Sequence, residues 1–192
     1  MNKSIIIDID GTITNLDRLT LSSNPCLINT NNSFLNNQII RKILYLFILY
    51  YSKNYKIREH VTPTINKLSD TYDIIFLTKR HFANELDTKE GKLIRYLIEE
   101  LLRINNIKYN KIIYTKGDKL EECIEYQPEF IIEDSPTNIC LLSNFFKVIV
   151  IDTPYNRNVE GKNIYRAYNW IDVYNVINNY ELGNKSKILN KK

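Results

Sequence analysis

The segment SIIIDIDGTIT, residues 4–14, ends an isoleucine run with Asp8 and Asp10, followed at once by Gly11 and Thr12. Carboxylates are costly to desolvate, so two of them closing an apolar strand call for a chemical reason. Four later apolar runs also end in polar side chains. DIIFLT gives Thr78, then Lys79 and Arg80; KIIYT leads into Lys116 and Lys119; EFIIED gives Glu133, Asp134 and Ser135; KVIVID gives Asp152 and Thr153.

Each of these residue types has work to do if the substrate is a phosphate monoester. A carboxylate can attack phosphorus and form an aspartyl-phosphate, which divides one hard step into two. Two carboxylates held close do not both ionise cheaply, so one Asp-x-Asp supplies a nucleophile and a general acid. A third acid completes a hard oxygen site for Mg²⁺, which takes one or two carboxylates together with substrate phosphate and water. Such a metal neutralises the phosphate so that an anion can approach it. A threonine hydroxyl and a lysine ammonium then hold the remaining phosphoryl oxygens. Gly11 permits a tight turn that can bring its amide toward the phosphate.

The elements that must bring these residues together alternate along the chain. Helical patterns at about 62–71, 88–105, 118–126 and 136–144 separate the apolar runs, and a last helix follows YNW at 168–170. In SPTN, Pro136 suits a first helical position. Short strands spaced by helices predict an α/β fold, a parallel sheet covered on both faces. In such sheets ligands lie at the carboxyl ends of the strands, where all of these polar residues fall. Residues 15–60 break the rhythm with an Asn- and Ser-rich loop and an apolar helix at about 36–53. That helix is either a small cap closing over the site, or a core helix or dimer surface. The expected organisation is therefore a core of 1–14 and 61–180, a helical cap insertion of 15–60, and a basic, fraying tail of 181–192.

Composition narrows the classes. The chain has 192 residues, 44% hydrophobic and 25% charged, with a net charge of +4. This is enough for one core and a modest insertion. Lys and Arg are scattered outside the tail, which suits a phosphorylated small molecule rather than a nucleic-acid polymer. Cys26, Cys123 and Cys140 show no CxxC spacing and read as reduced thiols of a cytoplasmic protein. The longest apolar run, ILYLFILYY, spans residues 43–51, well short of the about 20 residues a bilayer requires. No secretory leader is visible, because Asp8 and Asp10 interrupt the first apolar run.

DIDGT at 8–12, Thr78, Lys119 and IIEDS at 131–135 stand in the order of the four motifs of the haloacid dehalogenase-like phosphatases, and the chain resembles that superfamily. The resemblance implies a three-layer, Rossmann-like core. It makes Asp8 the nucleophile and Asp10 the general acid/base, with a backbone carbonyl that also reaches Mg²⁺. Thr78 and Lys119 would bind the phosphoryl group, helped by Gly11, Thr12 and Arg80. Asp8, Asp10 and Asp134 would hold the metal, with Glu133 close by. Lys116 competes with Lys119 for the lysine role; Lys119 is preferred because GDKL places it at a helix start.

A narrower resemblance, carried by IDIDGTIT, FLTKRH, GDKL, IIEDSPTN and IDTPYNRNVEGKNIYRAYNW, is to the 5'(3')-deoxyribonucleotidases and similar bacterial nucleotidases. It implies Mg²⁺-dependent removal of phosphate from a nucleoside monophosphate. Glu133-Asp134 stands where many nucleotidases have two aspartates, a variation shared with sugar-phosphate phosphatases and phosphomutases, which form the alternative reading. Arg80 and the segment Tyr155, Asn156 and Arg157 are candidates to read polar groups of the substrate. His81 reads as a loop residue and Trp170 as packing. A receiver-like signalling domain fits poorly, because its adjacent acids fall early and here they fall at 133–134. Oligomeric state is left open between monomer and homodimer.

Overall fold

Each of the five apolar runs that end in polar residues forms a strand, and every strand pair is parallel. The computed structural model describes residues 3–15, 38–54 and 56–189. Its strands are β1 (Ser4–Ile7), β2 (Asp73–Thr78), β3 (Lys111–Tyr114), β4 (Phe130–Glu133), β5 (Val148–Ile151) and β6 (Ile164–Ala167), in the sheet order β3-β2-β1-β4-β5-β6. The helices are α1 (Gln38–Asn54), α2 (Val61–Leu68), α3 (Lys89–Ile104), α4 (Leu120–Tyr126), α5 (Pro136–Leu142) and α6 (Trp170–Leu189). The expected α/β sheet is therefore present. The chain winds outward from β1 to one edge and then from β4 to the other. The reversal of order lies beside β1, where an open parallel sheet leaves a crevice.

Alternation along the strands builds two cores. Ile5, Ile7, Phe76, Ile132 and Ile149 face one side, where Ile65 of α2, Ile98 of α3 and Val173 of α6 cover them. Ile6, Ile75, Leu77, Ile131 and Val150 face the other, against Cys123 of α4 and Ile139 of α5. Successive side chains of a strand point to opposite faces, so a strand covered on both sides must be apolar throughout. Each buried isoleucine contributes about 1.5–3 kcal/mol, and the central strand SIII is buried at every position.

Two features differ from the sequence expectation. β6 has no counterpart in it: this four-residue edge strand, IYRA, carries Arg166 and is only partly buried, so no apolar run marks it. Helix α6 continues to Leu189, beyond residue 180, where the sequence set apart a tail.

Of the 15–60 segment, residues 16–37, with the Asn- and Ser-rich loop, lie outside the described residues. Helix α1 is not buried on all sides as a core helix would be. Leu44, Tyr45 and Ile48 pack against the first core, whereas Ile39, Ile43, Leu46 and Tyr50 are exposed. Arg41 docks the helix: its guanidinium makes a two-pronged ion pair with Glu85 (3.0 and 2.5 Å) and lies 4.7 Å above the Phe82 ring. The chain leaves and re-enters the core through one neck. There Thr14 pairs with Ile57, and the Asn15 and Arg58 amides donate to the Lys56 and Ile13 carbonyls at 2.9 Å. Among the described residues no helix is long and apolar enough to cross a membrane.

Candidate active site

The carboxyl ends of β1, β2 and β4, with the loops after β3 and β5, converge beside the point where the strand order reverses. Directly after β1 the chain folds into a tight turn. The Ile13 and Thr14 amides both return to the Ile9 carbonyl (3.1 and 3.3 Å). Gly11 sits in this turn at φ +88°, a conformation open to glycine and strained for residues with a Cβ. A Cβ there would also collide with Asp134 Oδ2 and lie 3.0 Å from the Tyr155 hydroxyl.

Three acids form the floor. Asp8, Glu133 and Asp134 are buried, and each offers an oxygen within 4.8 Å of the others. Lys119 links two of them, its Nζ 2.5 Å from Asp8 Oδ1 and 2.8 Å from Glu133 Oε2. Burial alone would discharge this ammonium. The charges of Asp8 and Glu133, with their hydrogen bonds, outweigh burial and hold it above the ordinary lysine pKa. Lys119 takes a left-handed backbone, φ 71°, at the start of α4, a conformation that costs a non-glycine residue of order 1 kcal/mol. Lys116 is exposed, so of the two candidate lysines Lys119 is the one inside the cluster.

The remaining sequence candidates divide into two sets. Thr12 is fully buried and turns its hydroxyl to the acids, donating to Asp134 Oδ1 at 2.9 Å and lying 3.4 Å from Asp8 Oδ2. The Gly11 amide donates to Thr14 Oγ1 at 3.2 Å. Asp10 stands apart from the floor, its side chain 19% exposed against 6% for Asp8. The Arg80 guanidinium forks onto its carboxylate, with Nε 3.1 Å from Oδ2 and Nη2 on Oδ1. Thr78 Oγ1 lies 3.4 Å from the same Oδ2 and accepts the Arg80 amide at 3.2 Å. The structure thus brings Asp8, Asp10, Gly11, Thr12, Thr78, Arg80, Lys119 and Asp134 to one rim.

Several supporting residues emerge only from the fold. Glu133 is saturated by donors: besides Lys119 it accepts from Asn138 (3.1 Å) and from the Asp134 and Ser135 amides (3.1 and 2.9 Å). Ser135 occupies the N-cap of α5 without a side-chain capping bond, and Pro136 begins the helix. The Asp134 carboxylate faces the site rather than capping that helix. Arg58, just past the neck, donates from Nε and Nη2 to the Gly11 carbonyl (3.1 and 2.8 Å). The Trp170 indole donates to the Thr12 carbonyl at 3.3 Å. Tyr155 and Asn156, candidates for substrate contact, turn instead to Asp134. Arg157 pairs with Asp152 at 3.2 Å and is largely exposed; His81 is exposed as well. A lone arginine in the 15–60 segment has no recognisable spacing, so no motif marked Arg58.

The donor set suits a divalent cation of the magnesium class. Three buried carboxylates offer hard oxygens and no sulfur or imidazole. Asp8 and Asp134 would hold it, with Glu133 behind them.

No family model matches the chain. A nucleotidase from Clostridium acetobutylicum is 31% identical over 188 residues, covering 91% of this chain and 93% of that protein. Among solved structures, a haloacid dehalogenase-like hydrolase from Streptococcus pneumoniae superposes with a TM-score of 0.57 at 13% identity, covering 92% of this chain and 98% of its own. A D,D-heptose 1.7-bisphosphate phosphatase from B. bronchiseptica, complexed with magnesium and phosphate, gives 0.57 at 12% identity, covering 93% and 99%. These two likenesses bear on the fold, and the clostridial relative bears on descent. With its candidate residues gathered at the strand ends of a haloacid dehalogenase-like hydrolase fold, and a relative 31% identical aligned over nearly its whole length, the chain belongs to the family of the clostridial nucleotidase.

Proposed function

We propose that the protein is a Mg²⁺-dependent phosphomonoesterase that releases phosphate from nucleoside monophosphates through an aspartyl-phosphate on Asp8. The observation that carries this reading is the division of labour between the two aspartates of the turn. Asp8 is buried against an ammonium and two further acids, whereas Asp10 stands higher, toward solvent, between Arg80 and Thr78. The inner carboxylate is placed to attack phosphorus and the outer one to exchange a proton with the leaving group.

In the first half-reaction an Asp8 oxygen bonds to phosphorus as the ester P–O bond breaks, and the departing alkoxide takes a proton from Asp10. In the second, Asp10 removes a proton from water, which attacks the same phosphorus; the acyl-phosphate bond breaks, inorganic phosphate leaves and Asp8 is restored. Lys119 stays charged throughout and offsets the negative charge that collects on the phosphoryl oxygens. Arg80 and Thr78, which hold Asp10 before substrate arrives, are placed to turn to those oxygens as it binds. Thr12 keeps the Asp8 and Asp134 carboxylates apart and oriented. When bound, Mg²⁺ supplies charge neutralisation for the phosphate and its attacking anion.

The nucleotide assignment is supported by the 31% identity to a protein named as a nucleotidase. The test is phosphate release with Mg²⁺ across nucleoside monophosphates, deoxynucleotides and hexose phosphates, comparing kcat/KM. Nucleotides should lead the panel. A lead for hexose phosphates would replace the substrate class, and activity surviving in Asp8→Asn would remove the mechanism. The division proposed for the chain keeps 1–14 and 61–180 as the core and 15–60 as its cap, with α6 extending the core side to Leu189.

A further inference from the structure

Strands β5 and β6 are parallel, yet no helix joins them. After Ile151 the chain must return from the carboxyl end to the amino end of the strands before it can pair again in parallel. It does so through residues 152–163, and the first part of that loop crosses the rim beside Asp134. There the Tyr155 hydroxyl donates to Asp134 Oδ2, and Asn156 Nδ2 donates to the Asp134 backbone carbonyl at 2.9 Å. One loop therefore grips both the side chain and the main chain of a single acid.

The grip is itself braced. Asn156 is fully buried, and its amide also donates to the Ile151 carbonyl at 2.9 Å. Its carbonyl oxygen accepts from the Thr153 amide (3.1 Å) and from Arg166 Nη1 (3.0 Å). Arg166 lies on β6 and also bonds Asp152 and the Asn156 and Val159 carbonyls. The first part of the crossover is thus held from two sides, by Asp134 and by β6. Tyr155 also stands 3.0 Å from where a Cβ on Gly11 would lie, so it forms part of the wall of the nucleophile turn.

We propose that Tyr155 and Asn156 are positioning residues for the divalent cation, fixing the rotamer and height of Asp134 so that it meets Asp8 across the cation site. The proposal rests on the reading of Asp8 and Asp134 as metal ligands. Each carboxylate oxygen has about two lone-pair directions, so Asp134 can accept from Thr12 and Tyr155 and still serve a metal. A ligand carboxylate held in this way loses less freedom on binding, and removing such a partner typically weakens metal affinity about 10–100-fold.

The test is Mg²⁺ binding without substrate, by isothermal titration calorimetry, on wild type and Tyr155→Phe, alongside thermal melts with and without Mg²⁺. The phenyl ring keeps the shape and deletes only the hydroxyl. The expected result is an about tenfold or greater rise in the Mg²⁺ dissociation constant for Tyr155→Phe. Its melting temperature in EDTA should stay at the wild-type value, and Mg²⁺ should raise that temperature less than in wild type. Equal Mg²⁺ affinity in the two proteins, with wild type binding normally, overturns the positioning role and leaves the proposed function standing. Weaker binding that merely tracks a lower melting point in EDTA overturns it too, as a structural effect. Absence of Mg²⁺ binding in wild type overturns both readings.

Discussion

Lys119 Nζ meets Asp8 Oδ1 at 2.5 Å, and both side chains are nearly withdrawn from solvent. Asp8 directly follows β1 and Lys119 is the N-cap of α4, so the bond spans two separate βα units of the sheet. The same ammonium reaches Glu133 at the end of β4. One ammonium thus joins the turn after β1 to the acid pair, and its loss should be felt in chemistry and in folding alike.

Lys119→Met should lower kcat/KM about 10²–10³-fold, the usual effect of deleting a donor to developing phosphoryl charge. It should also lower unfolding free energy by about 3–5 kcal/mol, because Asp8 and Glu133 remain buried without their counter-charge. Steady-state kinetics and urea melts check the two halves. A fully stable variant would show that the pair contributes little to the fold.

Gly11→Ala should cut activity by about 10²-fold or more. The turn needs φ +88°, and the added methyl would strike Asp134 Oδ2, displacing a group whose placement must hold to well under an ångström. A circular dichroism melt beside the assay separates this local effect from loss of fold. Wild-type kcat in the variant would show that the turn can be remade without cost to the site.

The Arg41–Glu85 pair should make the docking of helix α1 acid-sensitive. The hydrogen bond from Arg41 is the main reason that the Glu85 carboxyl sits below its ordinary pKa. A carboxylate lowered in the folded state adds stability that is complete above the unfolded value of about 4.3 and fades as pH falls through the folded one. Glu85→Gln should therefore cost under about 1 kcal/mol at pH 7, since the pair is partly solvated. The difference from wild type should shrink as pH drops below about 4. Melting temperatures across that range decide, and a constant gap would count against the pair.

The two described cysteines should differ sharply toward iodoacetamide. Burial pushes the Cys123 thiol up to about 12, and it lies in the second core, whereas Cys140 is exposed. Because the thiolate is the reactive species, peptide mapping at pH 8 should find Cys140 alkylated in the native protein and Cys123 only after denaturation. Early modification of Cys123 would reveal opening of the sheet near α4.

Much of the framework was legible in the chain itself. The isoleucine-rich runs that became β1, β2, β4 and β5 had to be strands covered on both faces, and polar residues fell at their carboxyl ends. Those runs, the helices between them and the four motifs fixed an α/β fold and placed Asp8, Thr78, Lys119 and Asp134 on one rim, because a parallel sheet leaves its ligand crevice there. What period and motif do not encode was decided by packing. Strand order put β4 beside β1, and this set the Lys119 ammonium between Asp8 and Glu133 and left Lys116 outside. The edge strand β6 was hidden because Arg166 interrupts its apolar character, and with it went the reason that Tyr155 and Asn156 lie against Asp134. Arg58 reached the Gly11 carbonyl only because the Thr14–Ile57 bridge brought it beside the turn after β1. Spacing along a chain reports which residues share an element; which elements touch is settled by the one arrangement that buries both faces of the sheet at once.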